Sequence, residues 1–365
     1  MRHTRRQLLS ALAGAAGIGA LAGCTDGTNN ATPSDGTIAE ASFFVFGDLA
    51  GTVAGDAATA GTLVPIGQHG HGWEPGPRVR EEIRAATLLF HGLEGFQPWV
   101  DSITADLAAD GADTTAVDVS TDVDLLSTGG QGHDEGAHDE DTHETNESDR
   151  HDEEGDHHEE DDANQTEDEA RHEEDEAEHQ AEDSHDHGGT DPHFWMDPVR
   201  LQTAVGTIRE AFATADPDNS AAYESNAATL REGLAELDAA IEATVAAGST
   251  EVLLVAGHDS FSYLADRYGI EVIALTGVGP DDQPSPRDIQ RAQDAIETHG
   301  LDYICADPLE SQRAAEQLVA DTDAAEVLPL TAMPGLTDAW ADNDWGYLDI
   351  MESVNLPTLE RALDS

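Results

Sequence analysis

The 365-residue sequence predicts an α/β protein with mainly parallel sheets, organised as two α/β units joined by one long helix. Three observations carry this expectation. From Ala41 onward, apolar runs of strand length alternate with amphipathic runs of helix length, the pattern of βα units. Between about 218 and 247, Leu230, Leu234, Leu237, Ile241 and Val245 recur at spacings of three and four, the apolar stripe of one helix. At 1.5 Å per residue that helix is about 45 Å long, enough to run beside two units and restrain hinge motion between them. Past it, the strand and helix alternation starts again at Glu251.

Taken in order, the chain begins with Arg5-Arg6 ahead of a short Ala/Gly/Leu-rich run that ends Leu21-Ala22-Gly23-Cys24. Twin arginines before an apolar segment too short to span a bilayer are an export signal, and this one resembles a twin-arginine (Tat) lipoprotein signal over 1–23. By that resemblance Cys24 is lipidated and residues 24–38 form a tether, which places the protein on the extracytoplasmic face of the membrane. Cys305 is the only other cysteine, so acylation of Cys24 leaves no intrachain disulfide. An N-terminal unit is expected over 39–216, with strands Ser42–Phe46, Gly61–Pro65, Thr87–His91 and Thr115–Val119 and helices Arg78–Ala86 and Phe96–Ala109. Asp197 and Pro198 suit the N-cap and first position of a helix that runs to Ala215. The linking helix occupies 217–248. The C-terminal unit, 249–365, has strands Glu251–Gly257, Ile270–Leu275, Tyr303–Ala306 and Val327–Leu330. Helices Ser260–Tyr268, Arg287–Thr298, Gln312–Ala320 and Tyr347–Ala362 alternate with them.

An insertion at 129–190 interrupts the N-terminal unit. Between His133 and His187 it holds ten histidines and 27 acidic residues, with Arg150 and Arg171 as the only fixed positive charges. Too little apolar surface is present to offset the entropy of ordering such a segment. Imidazole is a leading ligand for zinc, copper and nickel, and carboxylates add oxygen donors. The tract therefore reads as a metal-collecting loop made of His133, His138, His143, His151, His157, His158, His172, His179, His185 and His187. A merely solvated low-complexity insert would explain its acidity but not its histidines. The whole chain carries a net charge of −60, and all 16 basic residues are arginine. That composition suits concentrated salt, where screening removes self-repulsion, and it disfavours nucleic acid and anionic membrane surfaces as partners.

Three histidines outside the tract stand out by context. His71 lies in Gly67-Gln-His-Gly-His-Gly-Trp-Glu-Pro75 after a strand, His193 opens a helix within Asp191-Pro-His-Phe-Trp-Met-Asp-Pro198, and His258 follows a strand. Ligands of open α/β sheets bind outside the carboxyl ends of strands, where His258 is placed. These segments, with His258-Asp-Ser-Phe261 and Gln283-Pro-Ser-Pro286, resemble the cluster A-I substrate-binding lipoproteins of zinc and manganese ABC importers, the ZnuA-like family. The resemblance spans the chain beyond the signal, including the acidic His-rich insertion before the second motif. It departs from the family's Glu-Pro-Ser-Pro signature at Gln283.

The resemblance implies two four-stranded lobes on a rigid helix. It implies a metal bound between them by His71, His193 and His258 and delivered by a monomer to a permease and ATPase. Three imidazoles with one further oxygen donor suit Zn²⁺ at tetrahedral geometry, whereas Mn²⁺ prefers more carboxylate. His69 is an accessory candidate, ranked below His71 because the family ligand directly precedes the Gly-Trp-Glu-Pro segment. Many relatives carry an Asp aligned with Leu328 or Thr331, neither of which is a good zinc ligand, so Asp307 or water is the candidate for the fourth position. His91 reads as structural and His299 as an exposed helix end. A secreted zinc hydrolase is the rival from another class, but no His-Glu-x-x-His run or Gly-x-Ser-x-Gly elbow is present. A metal buffer built on the tract is a third reading.

Overall fold

The computed structural model describes residues 36–70, 72–128, 189–280 and 282–364. The export signal, Cys24, His71 and the ten histidines of the acidic tract lie outside the described residues.

Among the described residues, eight strands form two parallel four-stranded sheets. The first contains β1 (Ile38–Ala41), β2 (Thr59–Thr62), β3 (Leu88–His91) and β4 (Thr115–Asp118), in the order β2-β1-β3-β4. The second contains β5 (Val252–His258), β6 (Glu271–Thr276), β7 (Tyr303–Ala306) and β8 (Glu326–Pro329), in the order β6-β5-β7-β8. Each sheet thus has a point where the chain reverses its direction of travel across the sheet, between β1 and β3 and between β5 and β7. Crevices at such points, outside the carboxyl ends of the strands, are where open α/β sheets hold ligands.

One expectation fails at the start of the first sheet. The run Ser42-Phe-Phe-Val-Phe46 was expected as a strand, but the strand is Ile38–Ala41 and the aromatic run enters helix α1 (Phe44–Ala54). A short apolar run has no period by which strand and buried helix can be told apart. Here the helix is buried on nearly all sides, with Phe44, Val45, Phe46, Leu49, Ala50 and Val53 in the core, and a helix apolar all round is the form such a position takes. Strand β2 likewise starts and ends earlier than Gly61–Pro65.

The remaining helices follow the expected order. They are α2 (Pro77–Ala85), α3 (Pro98–Asp110), α4 (Pro198–Ala215), α5 (Ser220–Ala247), α6 (Ser262–Tyr268), α7 (Pro286–His299) and α8 (Arg313–Asp321), with a short α9 (Asp338–Asp342). The last helical stretch, Tyr347–Leu363, contains one wide turn at Met351–Asn355. Helix α6 stops where Gly269 takes the left-handed conformation, φ 70°. The linking helix α5 spans 28 residues and buries Leu230, Leu234, Leu237 and Ile241.

From Thr37 on the chain forms one compact unit, and its largest hydrophobic cluster explains why. It runs from Ala39 and Phe90 of the first sheet through α4 and α5 to Leu253, Val255 and Leu359 on the inner side of the second. The alternate residues of β5, Val252, Leu254 and Ala256, face a separate core under α7 and α8, as the two-residue period of a strand requires. Among the described residues, no helix is long and apolar enough to cross a membrane.

Candidate metal centre

The motif Asp191–Pro198 is fixed from both sides. Phe194, Trp195 and Met196 form a short, fully buried helical turn. Phe194 stacks on Phe46 with ring centres 6.0 Å apart, and Trp195 meets Phe43 at 4.9 Å. The Trp195 indole N–H donates to the carbonyl of Ala332 at 2.7 Å, and the Tyr347 hydroxyl donates to the carbonyl of Trp195 at 2.6 Å. Asp197 caps α4 by accepting from the backbone N–H groups of Val199 (2.7 Å) and Arg200 (3.2 Å). At the other end, the Tyr263 hydroxyl donates to the Asp191 carbonyl at 2.7 Å and accepts from Leu126 N–H at 2.9 Å. Side chains and backbone from the part of the chain after α5 therefore hold this motif, which precedes α4, in place.

That packing leaves His193 fully buried with its Nδ1 2.8 Å from Asp191 Oδ1. Burial pushes the imidazole pKa of His193 down, against the pull of Asp191. Burial also opposes the charge of Asp191, but the His193 ring beside it holds its carboxyl below the usual range. An ionised carboxylate next to a neutral ring makes Nδ1 the donor and turns the Nε2 lone pair outward. That nitrogen faces His258 Nε2 at 3.4 Å. His258 is the last residue of β5 and is 5% exposed.

Around His258 opens a cleft of about 750 Å³, lined among others by Gln68, His69, Trp73, Gln283 and Glu310. Ligand-type atoms of His69, His258 and Glu310 all lie within 4.8 Å of one another. The Glu310 carboxylate is 2.8 Å from His258 Nδ1 and 3.6 Å from His69 Nε2. The loop carrying His69 is clasped by the segment after β8. Gly67 N–H donates to Leu336 O (2.7 Å), Gly70 N–H donates to Pro334 O (2.8 Å), and a side chain on Gly335 would overlap the Gln68 carbonyl.

The residues singled out in the sequence separate into three groups. His193, His258 and His69 converge. His71 lies outside the described residues. Asp307 is bonded on both oxygens: its Oδ1 accepts from Leu309 N–H at 2.8 Å and its Oδ2 from Ala332 N–H at 3.2 Å, with the Thr331 hydroxyl bonded to it as well. Burial pushes the Asp307 pKa up to about 6. Leu328 is buried in the core, and Thr331 is pinned at its backbone N–H and C=O by the Asn355 amide. His91 bonds through Nδ1 to the Gly92 carbonyl, and His299 is the exposed last residue of α7. The carboxylate that meets His258 and His69 is Glu310, which sequence reading missed. The available signal was its place in the loop after β7, beside β5 at the reversal point. Acidic residues are common at helix starts, and this one precedes α8.

Comparison with known proteins decides the family. The profile described as "ZnuA: Zinc-uptake complex component A periplasmic" matches residues 40–362. The chain belongs to the ZnuA family. It is 26% identical over 321 residues to the high-affinity zinc uptake system protein ZnuA of Bacillus subtilis, covering 88% of this chain and 86% of that protein. It is 25% identical over 312 residues to the zinc-binding protein AdcA of Streptococcus pyogenes serotype M3, covering 86% of this chain but 53% of AdcA. The chain thus spans about half the length of that relative. The Zn(II)-bound ZnuA-like domain of Streptococcus pneumoniae AdcA superposes with a TM-score of 0.65 at 22% identity, over 90% of this chain and 99% of the domain. Streptococcus pneumoniae AdcAII gives 0.67 at 19% identity, over 91% and 100%. At these identities the structural likeness establishes a ZnuA fold.

Proposed function

We propose that this ZnuA-family protein captures Zn²⁺ between its two sheets, through His71, His193 and His258, and hands it to an ABC importer as a binding protein without catalytic turnover. The observation that carries the reading is the 3.4 Å separation of His193 Nε2 and His258 Nε2. Two nitrogens bound to one tetrahedral zinc at about 2.0–2.1 Å stand about 3.3–3.4 Å apart. The family's description as a zinc-uptake component and the names of the Bacillus and Streptococcus relatives support the same cargo. Imidazole donors favour zinc over manganese.

The zinc-binding lipoprotein AdcA of Streptococcus pneumoniae, 26% identical over 312 residues, supports a lipid anchor. Together with Arg5-Arg6 and Cys24 it favours export by the twin-arginine route and an anchor at Cys24 on the outer face of the membrane. We also read the −60 charge and the absence of lysine as adaptation to concentrated salt, and the ten tract histidines as a weaker collector feeding the cleft. The lobes we assign are 39–216 and 249–365, with 217–248 linking them.

A competitive titration of metal-free protein at high salt tests the cargo. Zinc is expected to bind far more tightly than manganese, and equal affinities would overturn the choice. Repeated across pH, the titration carries a second expectation. Burial keeps His193 neutral below the ordinary imidazole pKa of about 6.5, so at neutral pH zinc displaces no proton there. As pH falls further, protons compete with the metal and zinc affinity drops. An affinity constant from roughly pH 5 to 8 would rule out a histidine site by the same linkage.

A further inference from the structure

We propose that Glu310 is a positioning residue of the zinc site, accepting a hydrogen bond from Nδ1–H of His258 and so aiming the Nε2 lone pair of that ring at the ion. The proposal rests on the zinc-binding reading above. It starts from the Glu310 carboxylate, 2.8 Å from His258 Nδ1. The opposite edge of the same ring, Nε2, faces His193 Nε2 at 3.4 Å. His193 carries the matching arrangement, with its Nδ1 2.8 Å from Asp191. Two imidazoles whose Nδ1 protons are each held by a carboxylate present two Nε2 lone pairs to each other. Such a contact is repulsive unless a cation stands between them.

Two further features are built around this carboxylate. Gly257 precedes His258, and a Cβ there would lie 2.7 Å from Glu310 Oε2, so the glycine leaves the room that the carboxylate fills. The Glu310 loop is fixed by its own N–H donating to the Asp307 carbonyl (3.0 Å) and by the Gln312 amide donating to the carbonyls of Asp307 (2.7 Å) and Glu310 (3.1 Å). The same carboxylate also stands 3.6 Å from His69 Nε2. Asp191 and Glu310 together bring two negative charges beside neutral imidazoles, which offsets the +2 of the ion without a carboxylate having to bind it. Both carboxylates come from loops beside the rings they orient, one two residues before His193 and one after the strand next to His258.

The test compares Glu310→Ala and Glu310→Gln in the full chain by chelator competition for zinc. Imidazole ¹⁵N NMR of the metal-free protein is recorded in parallel, with the His258 signals assigned by their loss in His258→Asn. Alanine is expected to weaken zinc binding roughly 10–100-fold, the range for losing an outer partner of a metal-bound histidine. It should also abolish the Nδ1–H form of His258. Glutamine, whose carbonyl still accepts that proton, should keep the tautomer and recover part of the affinity. Unchanged affinity and tautomer in Glu310→Ala would overturn the proposal. So would X-ray absorption showing that the zinc shell of the parent loses an oxygen donor in Glu310→Gln, because Glu310 would then be a ligand. If the parent bound no zinc, the cargo reading would fail, yet the tautomer in metal-free protein would still decide what Glu310 does.

Discussion

Replacing His258 by alanine is expected to weaken zinc binding at least about tenfold, since even the loss of an outer partner costs that much. His258 is the hinge of the site's geometry. One edge of its ring lies 3.4 Å from His193 and the other 2.8 Å from Glu310. Removing it deletes one donor and also separates the cleft from the buried His193. His193→Ala should have an effect of the same size, with an additional stability cost because its ring has no exposed surface. Chelator competition measures the affinity, and far-ultraviolet circular dichroism verifies the fold. Binding within twofold of the parent in either variant would remove that histidine from the ligand set.

The second large effect is structural. Trp195→Ala is expected to cost about 3–5 kcal/mol, the usual penalty for truncating a large buried aromatic. That is a large share of a typical stability of about 5–15 kcal/mol. Trp195 is fully buried against Phe43, Phe46 and Phe96. Its indole N–H also holds the Ala332 carbonyl, so truncation leaves that acceptor without its donor. The His193 ring stands 5.3 Å from the Trp195 ring, and its support goes with the side chain. Urea unfolding of the metal-free chain measures the loss. A cost under about 1 kcal/mol would mean the cavity collapses freely, contrary to the packing described.

The sequence made the alternation of strands and helices legible because period and turn residues are local signals. The stripe Leu230–Ile241, the Asp197 cap and Gly269 all take the roles those signals assign. The aromatic run Ser42–Phe46 was not legible, because a segment buried on every side carries no period. In the site, His193 and His258 stood out by their positions at a helix start and a strand end. Glu310 did not, since what brings it to His258 is the adjacency of β5 and β7, a contact between residues some 50 apart in the chain. Asp307 drew attention as the residue just after β7, and its oxygens serve the backbone of Leu309 and Ala332. Nothing in a sequence says which of two nearby carboxylates reaches His258. His69 and His71 share one short loop, and spacing alone does not rank them.

The claim that matters most is that a folded cleft, separate from the acidic tract, holds the ion. Zinc titration of a chain lacking residues 133–187, in competition with a chelator and at high salt, tests it directly. One tight equivalent is expected to remain, with the weaker additional equivalents of the full chain gone. A deleted chain that folds and binds no zinc tightly would contradict the account, because the histidines at 193 and 258 would then be packed together for some reason other than metal.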